Sequence, residues 1–245
     1  MNKTAAFLIF FLILSVPVIK AQEEMGFDSK FAAGGGFTPG WIVLNPDAVN
    51  EKLAGFGTDK FPASGMFATG GTGYISIPFI ENVRIGGMGL GGSMSAGSVK
   101  DGLRKEAVYS VRMGGFTIEY TFPFIKSVAV SAGGILGGGS NTIELYQNNA
   151  QYNWNRSWQE LSDTSGSAKN LYRKFKNYHF AITPTINVDI PFYRFAAFRI
   201  GGGYKFALGN NWVADNDQPL NNTPSNLNSN VFFLQAGIFI GFFNY

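Results

Sequence analysis

The chain has 245 residues, a formal net charge of +3 and no cysteine, which excludes disulfides, a cysteine-linked lipid anchor and thiolate metal sites. Charged residues make up 14% of the sequence, against about 25% in ordinary soluble domains, whereas aromatic residues reach 16% and glycines number 32. The nearly balanced charge gives no argument for a nucleic-acid partner.

The N-terminus predicts a cleaved signal peptide. Lys3 precedes an apolar run from Ala5 to Ile19, and Ala21 supplies the small residue before the cut. We therefore expect residues 1–21 to be removed and residues 22–245 to form the mature domain. The mature domain has no apolar run long enough for a transmembrane helix.

Three segments of the mature chain share one pattern, in which a Pro-Phe pair lies between two runs of alternating apolar residues. The pairs are Pro78-Phe79, Pro123-Phe124 and Pro191-Phe192. Alternation with a period of two predicts strands, and proline cannot donate to a strand ladder. Each segment is therefore predicted to be a strand, a short turn and a second strand.

Longer polar connections alternate with these three turns, at residues 45–65, 97–106, 146–176 and 211–229. Seven connections separate eight predicted strands: 30–44, 66–78, 82–96, 107–122, 127–145, 177–190, 196–210 and 230–243. Alternating short and long connections are typical of outer-membrane barrels, in which the short turns face the periplasm. The predicted fold is all-β, an eight-stranded antiparallel up-and-down transmembrane β-barrel, and the alternative is a soluble secreted β-sandwich.

The alternation also assigns side chains to the two faces of the barrel wall. Apolar residues of the last three strands are expected to face lipid, and small or polar residues to face a narrow, filled lumen. Glycine pairs at 86–87 and 114–115 are expected to shift the alternation as bulges do. The charged residues predicted to lie on the inner face and to form a lumen charge network are Arg84, Arg112, Glu119, Asp189, Arg199 and Lys205.

The C-terminal sequence FFLQAGIFIGFFNY is an alternating apolar strand that ends in aromatic residues. It resembles the insertion signal of outer-membrane barrels, with Phe242, Phe243 or Tyr245 as the key aromatic. Together with the strand layout, it makes the chain similar to the small eight-stranded outer-membrane proteins (the OmpA-barrel, OmpX and OmpW class). The resemblance implies a monomer in the outer membrane of a Gram-negative bacterium, inserted by the barrel-assembly machinery.

Candidate chemistry is sparse. The glycine-rich stretches lack the lysine-serine ending of a phosphate loop, and a single histidine without cysteine does not predict zinc, so no metal or cofactor is expected. His179 should lie near Ser140 and Glu144 across the sheet, which leaves a lipid-modifying hydrolase as one alternative. Asp189 shares the face of His179 but lies about 33 Å away along the strand.

Basic residues are concentrated in and beside the longest connection, between aromatic residues. They are predicted to contact lipopolysaccharide phosphates or a surface partner; they are Arg156, Lys169, Arg173, Lys174 and Lys176. The sequence thus predicts a non-enzymatic structural or binding scaffold with functional extracellular loops. The alternatives are a narrow channel for small solutes, the hydrolase and the soluble sandwich.

Overall fold

The computed structural model describes residues 32–100, 102–124, 128–148, 154–162 and 170–243. The predicted signal peptide, Lys169 and Tyr245 lie outside these ranges, as does the side chain of Arg156. Neither helix within the described ranges is long and apolar enough to cross a membrane.

The described chain consists of eleven strands and two helices. In chain order they are β1 (Ala33–Phe37), β2 (Gly40–Val43), α1 (Asp47–Phe56), β3 (Met66–Ser76), β4 (Val83–Lys100), β5 (Leu103–Thr121), β6 (Ala129–Asn148), α2 (Trp154–Ser162), β7 (Leu171–Tyr193), β8 (Ala196–Leu208), β9 (Trp212–Ala214), β10 (Gln218–Pro219) and β11 (Val231–Phe242).

The sheet closes into a ring of eight antiparallel strands, as predicted. β1 and β2 act as one interrupted strand, because both pair with β3 on one side and with β11 on the other. Paired residues can be followed from Ser76 in β3 across each neighbouring strand in turn, all the way around the ring. This path returns to β3 at Met66, ten residues from its starting point. Such an offset over eight strands requires steeply tilted strands and encloses an interior that side chains can fill.

The wall has an apolar outer face. Isoleucines and leucines at every second position of β7, β8 and β11 are between 44% and 71% exposed: Ile182, Ile186, Ile200, Leu234, Ile238 and Ile240. Exposed aromatic side chains flank this belt at both ends, and they include Phe79, Phe124, Phe192, Tyr178, Phe206 and Trp41. An apolar band between two aromatic girdles is the outer surface of a membrane barrel.

Two of the three Pro-Phe pairs lie in turns, and we call their end of the barrel the short-turn end. Pro78-Phe79 and Pro123-Phe124 occupy turns, with the two phenylalanines 85% and 74% exposed. The placement of Pro191-Phe192 in a turn was wrong, because β7 continues to Tyr193 and the turn is formed by residues 194–195. The pairing register shifts between Pro191 and Tyr193, and such an irregularity tolerates a residue without an N–H.

The opposite end, which we call the long-loop end, is asymmetric. β4 to β7 contain 18, 19, 20 and 23 residues, whereas β3, β8 and β11 contain 11, 13 and 12. The predicted loop 97–106 was therefore wrong, since β4 and β5 stay paired up to Lys100 and Leu103. Four strands thus form a tall wall on one side of the mouth.

The glycine pairs do not shift the alternation. Pairing of β4 with β3 and β5 is continuous through Gly86 and Gly87, and pairing of β5 with β6 is continuous through Gly114 and Gly115. Without a bulge, even-numbered residues of β5 face outward along its whole length. The inward placement of Arg112 was therefore wrong, and its side chain is exposed on the outer face.

Candidate functional site

A balanced cluster of four charges closes the lumen at the short-turn end. Arg84 binds Asp189 at 2.6 Å, and Arg199 binds both Asp189 and Glu119. All four side chains are at most 5% exposed. Two guanidinium groups and two carboxylates leave no net charge, which is the condition under which buried ions are tolerated. We call these four residues the ion cluster.

Neighbouring side chains add hydrogen bonds and aromatic contacts to the ion cluster. Glu119 also accepts hydrogen bonds from Asn187 at 3.1 Å and from Ser131 at 3.3 Å. The Tyr74 ring lies under the guanidinium carbons of Arg84 and Arg199, at 4.4 and 4.9 Å, and the Phe239 ring lies 4.7 Å from that of Arg199. Aromatic faces attract cations, so the cluster is packed as well as paired.

The inward side chains of β7 follow the lumen from the long-loop end to the ion cluster, and every one is buried. They are Asn177, His179, Ala181, Thr183, Thr185, Asn187 and Asp189. Opposite them the core cluster is apolar and includes Leu90, Val111, Met113 and Phe233. The lumen is therefore filled by a polar seam against an apolar core, and the ion cluster lies at one end of it.

Lys205 reaches this polar seam. Its side chain is fully buried, and Nζ lies 2.9 Å from Nε2 of His179. When Lys205 is protonated its ammonium group can only donate, and the contact then requires Nε2 of His179 to be the unprotonated ring nitrogen. Lys205 therefore stands apart from the ion cluster with which it was predicted to pair, and its contact is an imidazole.

The hydrolase geometry is not assembled. His179 pairs with Gly139 across β6 and β7, close to the predicted neighbours. Ser140 is the next residue along β6, so its side chain lies on the opposite face of the wall, while His179 is buried in the lumen. Glu144 bonds instead to Lys174 at 2.9 Å and accepts a hydrogen bond from the Tyr172 hydroxyl at 2.8 Å.

This half-buried pair of Glu144 and Lys174 lies beyond the apolar belt, at the outer ends of β6 and β7. Partial burial favours a raised pKa for Glu144, but the hydrogen bonds from Lys174 and Tyr172 outweigh it and hold that pKa below its usual value. Arg173 pairs similarly with Asp215 at 3.3 Å, and Lys176 Nζ lies 6.0 Å from the centre of the Tyr178 ring. Two of the predicted lipopolysaccharide contacts, Arg173 and Lys174, therefore already have carboxylate partners.

The two described C-terminal aromatic residues diverge. Phe242 ends β11 facing outward, 64% exposed, with its ring 5.5 Å from that of Phe195. Phe243 packs inward, against the small apolar cluster of Tyr74, Ala197 and Phe239. Only Phe242 therefore lies on the surface that faces lipid.

A cavity of about 280 Å³ occupies the long-loop end. It lies between α1, the tall wall and the segment 212–227, and we call this enclosure the cup. Its apolar lining comprises Ala48, Val49, Leu53, Phe56, Ile143, Leu145, Phe175, Trp212, Leu220, Pro224 and Leu227. Lys52, Asn221, Asn222 and Thr223 add the polar part of the lining.

Helix α1 forms one side of the cup and was not predicted. Its buried residues Val49 and Leu53 are four apart, and Phe56 follows three later, so all three lie on one face. The helix ends at Gly57, which adopts a left-handed φ of 87° and donates its N–H to Leu53 O, as in the αL cap. This apolar spacing and the terminal glycine were readable in the sequence.

The wall holds α1 in place. Lys105 Nζ donates to Phe56 O at 2.7 Å and lies over the Phe56 ring, while Ser98 Oγ donates to Gly57 O. Asn50 bonds to the backbone of Phe61 with both its oxygen and its nitrogen, at 2.8 and 3.1 Å. The residues predicted as a loop at 97–106 thus anchor the end of the helix.

The fold, but not the sequence, connects the chain to known proteins. No protein-family model and no curated protein matches the sequence. The chain is similar in structure to a major outer membrane protein from Thermus thermophilus, with 8% identity and a TM-score of 0.53 over 86% of this chain and 99% of that one. The fold is therefore that of an outer-membrane β-barrel.

Two further solved structures are similar at lower scores. Ail, the attachment invasion locus protein of Yersinia pestis, solved with the heparin analogue sucrose octasulfate, gives 11% identity and a TM-score of 0.40 over 86% of this chain and 97% of Ail. Acinetobacter baumannii CarO2 gives 10% identity and a TM-score of 0.37 over 84% of this chain and 98% of CarO2.

Proposed function

We propose that this outer-membrane β-barrel is a closed, non-enzymatic binding scaffold of a Gram-negative outer membrane, with the cup facing the outside of the cell. The observation that carries the proposal is the filled lumen. The ion cluster occupies one end, with Arg199 1% exposed, and the core residues Val111 and Phe233 above it are fully buried. This packing supports a closed barrel, because a solute crossing the lumen would have to displace these buried side chains.

The orientation rests on the difference between the two ends. Outer-membrane barrels place short turns in the periplasm and long connections outside, and here the long connections build the cup. A predicted signal peptide on residues 1–21 agrees with export. Lys176 and the exposed Arg112 lie on the outer face near the long-loop edge of the apolar belt, where lipopolysaccharide phosphates would meet them.

Assembly and oligomeric state belong to the same proposal. Phe242 at the end of β11, together with Phe243 and Tyr245, serves as the signal for the barrel-assembly machinery. The barrel functions as a monomer, because its ring leaves no unpaired edge strand among the eight that form it.

The experiment that tests a closed scaffold is single-channel recording in planar bilayers. The refolded protein should give no discrete conductance steps across a range of voltages, while an open porin in the same bilayers supplies the positive control. Sustained, reproducible steps from protein that is fully folded by gel mobility would contradict the proposal and favour the narrow channel.

A further inference from the structure

The cup has the composition of a ligand site. Three separate parts of the chain contribute apolar side chains that converge on the cavity, represented by Leu53 from α1, Ile143 from β6 and Leu220 from the segment 212–227. Its volume of about 280 Å³ lies just below the usual range of small-molecule sites, roughly 300–1,000 Å³. One slender apolar group fits such a space.

Among the described residues, the lining contains a single charged one, Lys52. Lys52 is exposed on α1, and within the described ranges it forms no ion pair. Asn221, Asn222 and Thr223 complete the polar part of the lining. A cation and neutral hydrogen-bonding groups beside an apolar cavity suit an anionic head on an apolar tail.

The walls of the cavity are held before any ligand enters. Lys105 and Asn50 fix α1 to its surroundings. The segment 212–227 is closed on itself, because Trp212 Nε1 donates to Leu227 O at 3.2 Å and Leu220 N donates to Trp212 O at 2.9 Å. A preformed site spends little of its binding energy on ordering.

We propose that the cup binds one single-chain carboxylate amphiphile of the fatty-acid class. The chain lies against Leu53, Ile143 and Leu220, and the carboxylate meets Lys52. The inference rests on the proposed function, because the filled lumen gives the cavity its floor. It adds the class of ligand to that function. The proposed ligand is a free fatty acid and not an acyl chain of a membrane lipid.

Trp212 provides the readout, since it lines the cavity and is 2% exposed. The other three tryptophans, at positions 41, 154 and 158, are replaced by phenylalanine, and the barrel is reconstituted in phospholipid bilayers. Bromine quenches indole fluorescence on contact. Bromododecanoate, bromododecanol and a phospholipid with brominated chains are then compared as quenchers.

We expect saturable quenching of Trp212 by bromododecanoate and none by the brominated phospholipid. Lys52→Gln should weaken the apparent affinity about five-fold, the upper range for one exposed ion pair, and should bring the acid and the alcohol to similar affinities. The matched control is Lys60→Gln, at an exposed position that does not line the cavity. Leu145→Phe, which adds volume to the lining, should abolish saturation, whereas Leu171→Phe on the exposed end of β7 should not.

Three results would overturn the proposal. The first is the absence of saturable quenching in the folded protein with Trp212 alone, and the second is equal quenching by the brominated phospholipid. The third is an unchanged preference for the acid in Lys52→Gln. None of these results bears on conductance through the lumen. If bilayer recordings show no conductance steps, the closed scaffold is supported even when the ligand proposal fails.

Discussion

At the residue scale, four of the charged side chains that point into the lumen pair with each other. Arg84, Glu119, Asp189 and Arg199 could be assigned to the interior from the parity of their strands. The sequence could not show that they form one cluster, because the ion pairs join residues that are up to 105 positions apart. Such contacts are determined by the register between strands around the closed ring. The alternation of residues within one strand gives no information about that register.

Arg112 is a residue whose face was assigned incorrectly from the sequence. Glycine pairs were interpreted as bulges, and a bulge would have turned Arg112 inward. In the structure, the ladder is intact at these glycines, and two of them, Gly86 and Gly115, lie where a Cβ would clash with a neighbouring strand. A glycine in a strand permits either outcome, so local sequence could not decide between them.

The ion cluster gives a sharp stability prediction. Glu119→Gln should lower the free energy of unfolding by about 3 kcal/mol, because it leaves two buried guanidinium groups with one carboxylate. The same change on the same strand at Glu106, whose pair with Arg104 is exposed, should cost no more than about 1 kcal/mol. Urea unfolding of the two variants in lipid vesicles measures both values, and equal losses would contradict the role of the cluster.

At the element scale, α1 is the part of the cup that sequence reasoning missed. Residues 45–65 read as a polar connection because their charged and polar residues outnumber the apolar stripe at Val49, Leu53 and Phe56. A ten-residue helix is marginal by itself in water. It persists here through its contacts with the tall wall, which depend on strand lengths that were themselves underestimated.

Asn50→Ala tests how α1 is held. The change removes both hydrogen bonds to Phe61, each worth about 1 kcal/mol, while the barrel strands keep all their pairs. Amide exchange of residues 47–57 should become about ten-fold faster or more, with no change in β5 or β6. Glu51→Ala, at the next and exposed position, is the matched control, and similar exchange in both variants would show that Asn50 does not anchor the helix.

The curvature of the wall depends on glycines at a close approach between two strands. A Cβ at Gly137 would lie 2.5 Å from Cα of Gly115 and would clash with Gly114 O. We expect Gly137→Ala to destabilise the barrel by about 1–3 kcal/mol, the usual cost of overpacking. Gly89→Ala, where nothing lies within 4 Å of the added carbon, should be nearly neutral in the same urea titration, and equal effects would rule out the steric explanation.

At the scale of the whole molecule, the alternation of short and long connections was sufficient to predict eight strands and their closure. Composition contributed the membrane environment, because few charges and many aromatic residues suit a wall with an apolar outer face. The asymmetry of the mouth was not predictable from these patterns. Polar residues such as Ser98 and Lys105 look like loop residues until the helix they support is known.

The central claim is a barrel that crosses the outer membrane with the cup outside, and cysteine labelling on intact cells tests it most directly. The chain contains no native cysteine, so any maleimide labelling of a single-cysteine variant comes from the introduced residue. Val99 on the tall wall, Phe79 in a short turn and Ile186 on the outer belt are 76%, 85% and 64% exposed. A membrane-impermeant maleimide should label Val99→Cys on intact cells, Phe79→Cys only after the outer membrane is permeabilised, and Ile186→Cys only after unfolding. Labelling of Ile186→Cys in the folded protein, or of Phe79→Cys before Val99→Cys, would contradict the account.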